Sequence, residues 1–210
     1  MNPAAMTLVL LNFGVVGLLP LLFFRRDGRL NVRWWLTAAP LFAAPLVVVG
    51  AAAGLVTPVT RQLELAAVPL AVLSIALIAY AAGAHQVRIA LWHQDVDAPE
   101  QLVTWGPYRW VRHPFYAAFL LALAGAVAVC PHPGTLGAWL YALVALQLTA
   151  RREERRLLAS RLGTSYAAYA RRTGRLWPRL FRRFAPVPRP DRRPAAGAAP
   201  RPRQSASRPA

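Results

Sequence analysis

Apolar residues along this chain gather in long uncharged blocks rather than at the three-and-four spacing of a half-buried helix. The blocks run over residues 5–24, 34–56, 65–83, 115–129 and 136–150. A helix needs about 20 apolar residues to cross the hydrocarbon of a bilayer, so the pattern predicts an all-α, polytopic integral membrane protein with about five spans. The last two blocks, the shortest of the five, are joined by Pro131, His132, Pro133 and Gly134, which predicts an antiparallel helical hairpin. Beyond the fifth block the stretch "RREERRLLASRL" continues the helix, Gly163 stops it, and Thr164 is the expected N-cap of a short helix carrying Tyr166 and Tyr169 on one face.

Between the third and fourth blocks, after His85 and Arg88, the polar run from His93 to Trp110 is too short for a domain and too rich in turn residues for a long helix. A loop against the membrane surface is expected there. From about residue 185 the composition collapses into Pro, Arg, Ala and Ser, which cannot bury a core and predicts a disordered cytoplasmic tail over 185–210. The remainder, 1–184, is read as one membrane-embedded domain whose core motif region is 102–178.

Charge sharpens the picture. The formal net charge is +17, from 25 basic residues, every one an Arg, against 8 acidic ones. A soluble chain this basic would suggest nucleic acid, but the apolar blocks make the lipid bilayer the expected partner, and no nucleic acid. Arg25, Arg26, Arg29 and Arg33 follow the first block, Arg88, Arg109 and Arg112 the third, and Arg151 onward the fifth, with Arg61 on the opposite side. Cytoplasmic loops hold the excess of Arg, so the expected topology runs from an outside N-terminus to a cytoplasmic C-terminus. No positive charge precedes the first block, and "RRDGR" follows it, which reads as a retained anchor rather than a cleaved signal. The expected location is a bacterial inner membrane. Cys130 is the only cysteine; no intramolecular disulfide can form, and a small packing residue is expected. No metal site is foreseen.

The segment "GPYRWVRHPFY", residues 106–116, loads two Arg and a His onto the doorstep of the fourth block. Pro114 suits the first helical position, where its missing N–H costs nothing, which puts His113 at the N-cap. His113 and Glu153 lie almost equally far along the chain from the Pro131–Gly134 turn, one before it and one after. Because each helical residue advances by the same fixed rise, His113 must stand level with Glu153 and Glu154. Arg109, Arg112, His113 and the helix N-terminus would hold a carboxylate or phosphate; the Glu pair would attract a cation or ammonium. Tyr108, Trp110 and Tyr116 add aromatic faces for an adenine ring or a sulfonium. The bland alternative is that Arg and Trp are interfacial anchors and that the Glu pair merely meets Arg151, Arg155 and Arg156 at helical spacing.

"LVTWGPYRWVRHPFYAAF" followed by "RREERRLLASRLGTSYAAYARRTGRLWP" resembles the isoprenylcysteine carboxyl methyltransferase and phospholipid methyltransferase family of integral membrane enzymes. The resemblance covers about residues 102–178. It implies a methyltransferase that binds S-adenosylmethionine from the cytoplasmic side and receives a lipid-like or isoprenoid acceptor between helices, for carboxyl O-methylation or amine N-methylation. Carried over by motif, the cofactor-binding residues are Tyr108, Arg112, His113, Pro114, Tyr116, Glu153 and Glu154. Arg109 and Arg112 are the catalytic candidates, and Glu64, His85, His93 and Arg109 could handle the acceptor. Ala118 stands where the family usually has Gly. Two other readings stay open. Membrane sterol reductases that use NADPH resemble the Arg-His-Pro run but continue with Asn and Glu, which "RHPFYAAF" lacks; a non-catalytic membrane scaffold of the same fold is the third.

Overall fold

A computed structural model of the chain describes residues 2–17, 32–59, 63–84 and 102–179. Among them are six α-helices and no strands. They are α1 (Pro3–Gly17), α2 (Val32–Ala52), α3 (Glu64–Ala84), α4 (Pro114–Val129), α5 (Pro133–Leu158) and α6 (Gly163–Arg172), with a single 3-10 turn at Gly106–Arg109 before α4. The expected all-α class holds. Within α2 and α3, Trp35–Ala52 and Leu65–Ala84 are long and apolar enough to cross a membrane, whereas α1 and α4 are shorter apolar helices. Only 28% of each long window is buried within the chain. Leu46, Val49, Val72 and Leu73 are instead exposed, as befits helices whose outer faces meet lipid tails rather than a protein core.

α4 forms the centre of the bundle and packs on α3, α5, α1 and α2. Half of its buried positions are small: Ala117, Ala118, Ala122, Gly125, Ala126 and Ala128. Facing them are Ala67 and Ala71 of α3, equally buried. In an apolar solvent no hydrophobic drive pushes helices together, so small residues that let backbones approach supply the association through packing and polar contacts. One polar contact sits in the middle of the bundle, where the Ser74 hydroxyl donates to the Ala118 carbonyl at 2.9 Å and lies 3.2 Å from Asn12 Oδ1. That joins α3 to both α4 and α1.

The hairpin turn is built as the Pro-Gly signal predicts. His132 caps α5, its Nδ1 accepting from the Gly134 N–H at 3.0 Å, and Thr135 returns a hydroxyl to the Cys130 carbonyl at 2.7 Å. Cys130 is fully buried. Two expected boundaries differ. α5 ends at Leu158, not at Gly163, because the Ser160 hydroxyl bonds the Leu157 carbonyl at 2.7 Å and accepts from Leu162 N–H at 3.2 Å. Ser side chains compete in this way with the helical ladder. α6 then starts at Gly163, with Leu162 as its N-cap, so Thr164 lies inside the helix. Residues 18–31, 85–101 and the 185–210 tail lie outside the described residues, and with them His85, His93 and the first half of the expected surface loop, whose remainder from Leu102 holds the 3-10 turn.

Candidate cofactor site

The site forms where the N-terminus of α4 meets the C-terminal end of α5. Gly106 enters the 3-10 turn at φ +61°, a conformation only Gly adopts freely; a Cβ there would also lie 2.9 Å from that of Ala84. The turn delivers Arg112 and His113, with His113 at the N-cap and the buried Pro114 at the first helical position. Level with them stand Glu153 and Glu154, as the hairpin arithmetic requires. His113 Nδ1 is 3.4 Å from Glu153 Oε2, and His113 Nε2 is 3.4 Å from Glu154 Oε1. The imidazole stacks on the Tyr116 ring, parallel to within 2° at a centroid distance of 5.2 Å. One helical turn inward, the Tyr116 phenol donates to Glu153 Oε1 at 2.6 Å.

A third segment completes the cluster. After α6 the chain runs alongside the approach to α4 and pairs with it in parallel: Gly174 N–H donates to the Trp110 carbonyl, Arg112 N–H to that of Gly174 and His113 N–H to that of Arg175, at 2.9 to 3.1 Å. A Cβ on Gly174 would stand 1.7 Å from the Trp177 carbonyl oxygen, so this crossing requires glycine. The pairing carries Arg175 over Glu154, where Nε meets Oε1 at 3.0 Å and Nη2 meets Oε2 at 2.6 Å. Arg112 Nε approaches Glu154 Oε1 from the other side at 2.9 Å, while its Nη1 donates to the carbonyls of Ala170 and Thr173. Tyr169, on α6, donates to the Tyr108 carbonyl at 2.7 Å and stacks edge-on with Tyr166.

The electrostatics follow from these contacts. Burial by itself would raise the Glu154 carboxyl; His113, Arg175 and Arg112 together override it and hold it well below the usual carboxylate range. Arg175 is raised in turn, chiefly by the same carboxylate. Tyr108 is pushed above its ordinary value, first by burial and then by the charge of Glu153, so it stays a neutral phenol with a proton to donate.

The structure therefore brings Arg112, His113, Pro114, Tyr116, Glu153 and Glu154 together and sets Tyr108 beside them. Arg109 is not among them: it is exposed, and its guanidinium lies 4.0 Å above the Trp110 ring. Glu64 opens α3. Instead of its helical neighbours Arg151 and Arg155, Glu154 takes Arg112 from before the hairpin and Arg175 from beyond α6. Arg175 was not singled out from the sequence. Its only sign there is the closing "TGRLWP" of the resemblance, since the contact depends on a backbone pairing that no local period reveals.

The donor set fits a small ligand that bears a positive charge: carboxylates, phenols and an imidazole face suit a sulfonium or ammonium, and His113 Nε2 is a buried polar atom without a hydrogen-bond partner among the described residues. The expected anion-holding half differs, because the Arg112 guanidinium is bonded to Glu154, the His113 N–H to the Arg175 carbonyl, and Arg109 stands apart. No curated protein and no solved structure gives a significant match to the chain. A family model does match, that of the isoprenylcysteine carboxyl methyltransferase family, over residues 63–160, a little under half of the chain. The matched stretch spans α3, the turn, α4 and α5, and so contains every member of the cluster except those supplied after α5. Residues 63–160 thus carry the signature of the isoprenylcysteine carboxyl methyltransferase family, and that family implies a membrane methyltransferase dependent on S-adenosylmethionine.

Proposed function

We propose that this chain transfers a methyl group from S-adenosylmethionine to the carboxylate or amine of a lipid-like or isoprenoid acceptor, at the cytoplasmic face of a bacterial inner membrane. The observation that carries the reading is the convergence of His113, Tyr116, Glu153 and Glu154 at one end of the hairpin, within the family-matched segment. When bound, the cofactor supplies a methyl group activated on a sulfonium. What the chain contributes is position and exclusion of water. Glu153 and the stacked faces of His113 and Tyr116 suit the cationic part, Tyr108 borders it as a neutral phenol, and the Arg112–Glu154–Arg175 network holds His113 and the end of α5 in register. A carboxylate acceptor needs no general base; an amine must arrive neutral. The acceptor reaches the site between helices from the bilayer, whose tails solvate the exposed apolar faces of α2, α3 and α5.

The test is direct. Purified protein in nanodiscs is titrated with S-adenosylmethionine and with NADPH, and then given the labelled methyl donor with a lipid extract. Saturable binding of S-adenosylmethionine and label in a lipid product are expected; binding of NADPH instead would replace the reading with the reductase alternative, which the family match does not favour. Binding of neither would leave a scaffold. Five spans with the C-terminus inside belong to the same proposal, and a reporter fused after Arg183 that reads outside would overturn it.

A further inference from the structure

We infer that Arg175, which lies beyond the family-matched segment, is a positioning residue of the site, and that the strand-like stretch Thr173–Leu176 is the strap that closes it. The inference rests on the methyltransferase reading given above. Glu154 is the hub where three segments meet, and its two oxygens receive three guanidinium N–H groups, one from Arg112 and two from Arg175. Arg175 contacts both oxygens, so it sets the plane of the carboxylate, as a bidentate guanidinium does and an ammonium cannot. Its Nη1 points the other way, to Gln147 Oε1 at 3.4 Å, two turns deeper on α5. A single side chain thus reaches from Gln147 to Glu154 along the α5 face.

The backbone of the same residue acts on the opposite helix. Its carbonyl accepts the His113 N–H at 3.1 Å, one of the donors that a helix N-terminus otherwise leaves without an intrahelical partner. Arg175 therefore couples the N-cap of α4 to the charged end of α5, and with them the distances from His113 to Glu153 and Glu154. The strap is anchored at both ends, by buried Leu176 in the main core and by Thr173, whose N–H and hydroxyl both donate to the Tyr169 carbonyl of α6, at 3.2 and 3.0 Å. Neither guanidinium of the pair is a surface anchor: the Arg112 side chain is 7% exposed and that of Arg175 29%.

The consequence separates positioning from mere stability. With Arg175 removed, the Glu154 carboxylate is still faced by Arg112 and His113 from the approach to α4, by Tyr166 from α6 and by Glu153 on its own helix, but it is free to rotate and is held less strongly in its charged form. The experiment measures S-adenosylmethionine binding to the full chain in nanodiscs for the parent, Arg175→Gln and Arg175→Lys, with insertion and monodispersity checked for each. Arg175→Gln is expected to bind at least about tenfold more weakly. Its affinity should also fall relative to the parent's as the pH drops below the ordinary carboxyl value of 4.5, because Glu154 then takes up a proton more readily. Arg175→Lys, which keeps the charge but not the fork, should recover less than half of the loss on a logarithmic scale. Parental affinity and an unchanged pH profile in Arg175→Gln would overturn the inference, as would full recovery in Arg175→Lys. If Arg175→Gln fails to fold, the Arg175→Lys measurement decides alone. A parent that binds no S-adenosylmethionine sinks the methyltransferase reading instead, a different outcome from either.

Discussion

Glu154→Gln isolates the charge at the hub from its shape. The amide keeps one oxygen, which can still accept from Arg112 Nε and Arg175 Nε, but places an NH2 where Oε2 now receives Arg175 Nη2 at 2.6 Å. One charge-assisted hydrogen bond, about 1.5–3 kcal/mol, becomes a donor facing a donor. Two guanidinium groups also lose their counter-charge. Breaking a buried pair by removing one partner costs about 3–5 kcal/mol, and the partial exposure of Arg175 screens part of that. A destabilisation of about 3 kcal/mol is the expected result, read by equilibrium unfolding in detergent micelles followed by far-ultraviolet circular dichroism. Glu153→Gln should lose less than about 1.5 kcal/mol, since the amide oxygen still accepts from Tyr116. A second arm uses pH. The folded carboxyl of Glu154 is depressed below its ordinary 4.5, so its contribution is complete above that value and disappears as pH falls below it. The parent should thus lose stability on acidification below 4.5, and Glu154→Gln should lose much less over the same range. A variant within about 1 kcal/mol of the parent, the size of one net hydrogen bond, or one with the same acid limb, would refute the account of the hub.

Three further outcomes are expected. His113→Ala should weaken S-adenosylmethionine binding by about 1.5–3 kcal/mol without stopping insertion, the double variant with Glu154→Gln should lose less than the sum, and exposed Arg155→Gln should bind like the parent in the same titration. Gly174→Ala forces a methyl group onto the Trp177 carbonyl and should destabilise the chain by at least about 1–3 kcal/mol, measured by unfolding, with lost cofactor binding as the accompanying sign. Ser74→Ala removes the bond to the Ala118 carbonyl and should cost about 0.6–1.7 kcal/mol, the range for interhelical hydrogen bonds in a bilayer; a larger loss would mean that the α1–α3–α4 junction carries more of the bundle than its contacts indicate.

What was legible in the sequence is what depends on helical rise and on proline. Counting residues from the hairpin turn placed His113 beside Glu153 and Glu154 across the whole hairpin, because every residue between them, apart from the turn itself, advances by a fixed step. Pro114 located the N-terminus of α4 for the same kind of reason. The end of α5 was less legible: Ser160 terminates it through its own hydroxyl, and a hydroxyl near a helix end can equally point to solvent. Arg175 was hidden because its role depends on a pairing between segments that the hairpin and α6 separate along the chain, neither of which is a regular strand. The number of spans was read from apolar blocks, of which those in α2 and α3 alone are both long and apolar enough to cross a membrane among the described helices.

The strap gives the site an order of assembly in time. Chains emerge N-terminal end first, at about 5–20 residues per second, so α3, α4 and most of α5 exist before Thr173–Leu176 has been made. Until then Glu154 has Arg112 as its guanidinium partner, and the His113 N–H has no carbonyl from beyond α6. A nascent chain halted after α5 would hold both halves of the family signature and an unfinished charged pocket. The last second or so of synthesis of this region is what turns an inserted bundle into a closed one, and premature termination between Arg172 and Arg175 should give a protein that enters the membrane and stays empty.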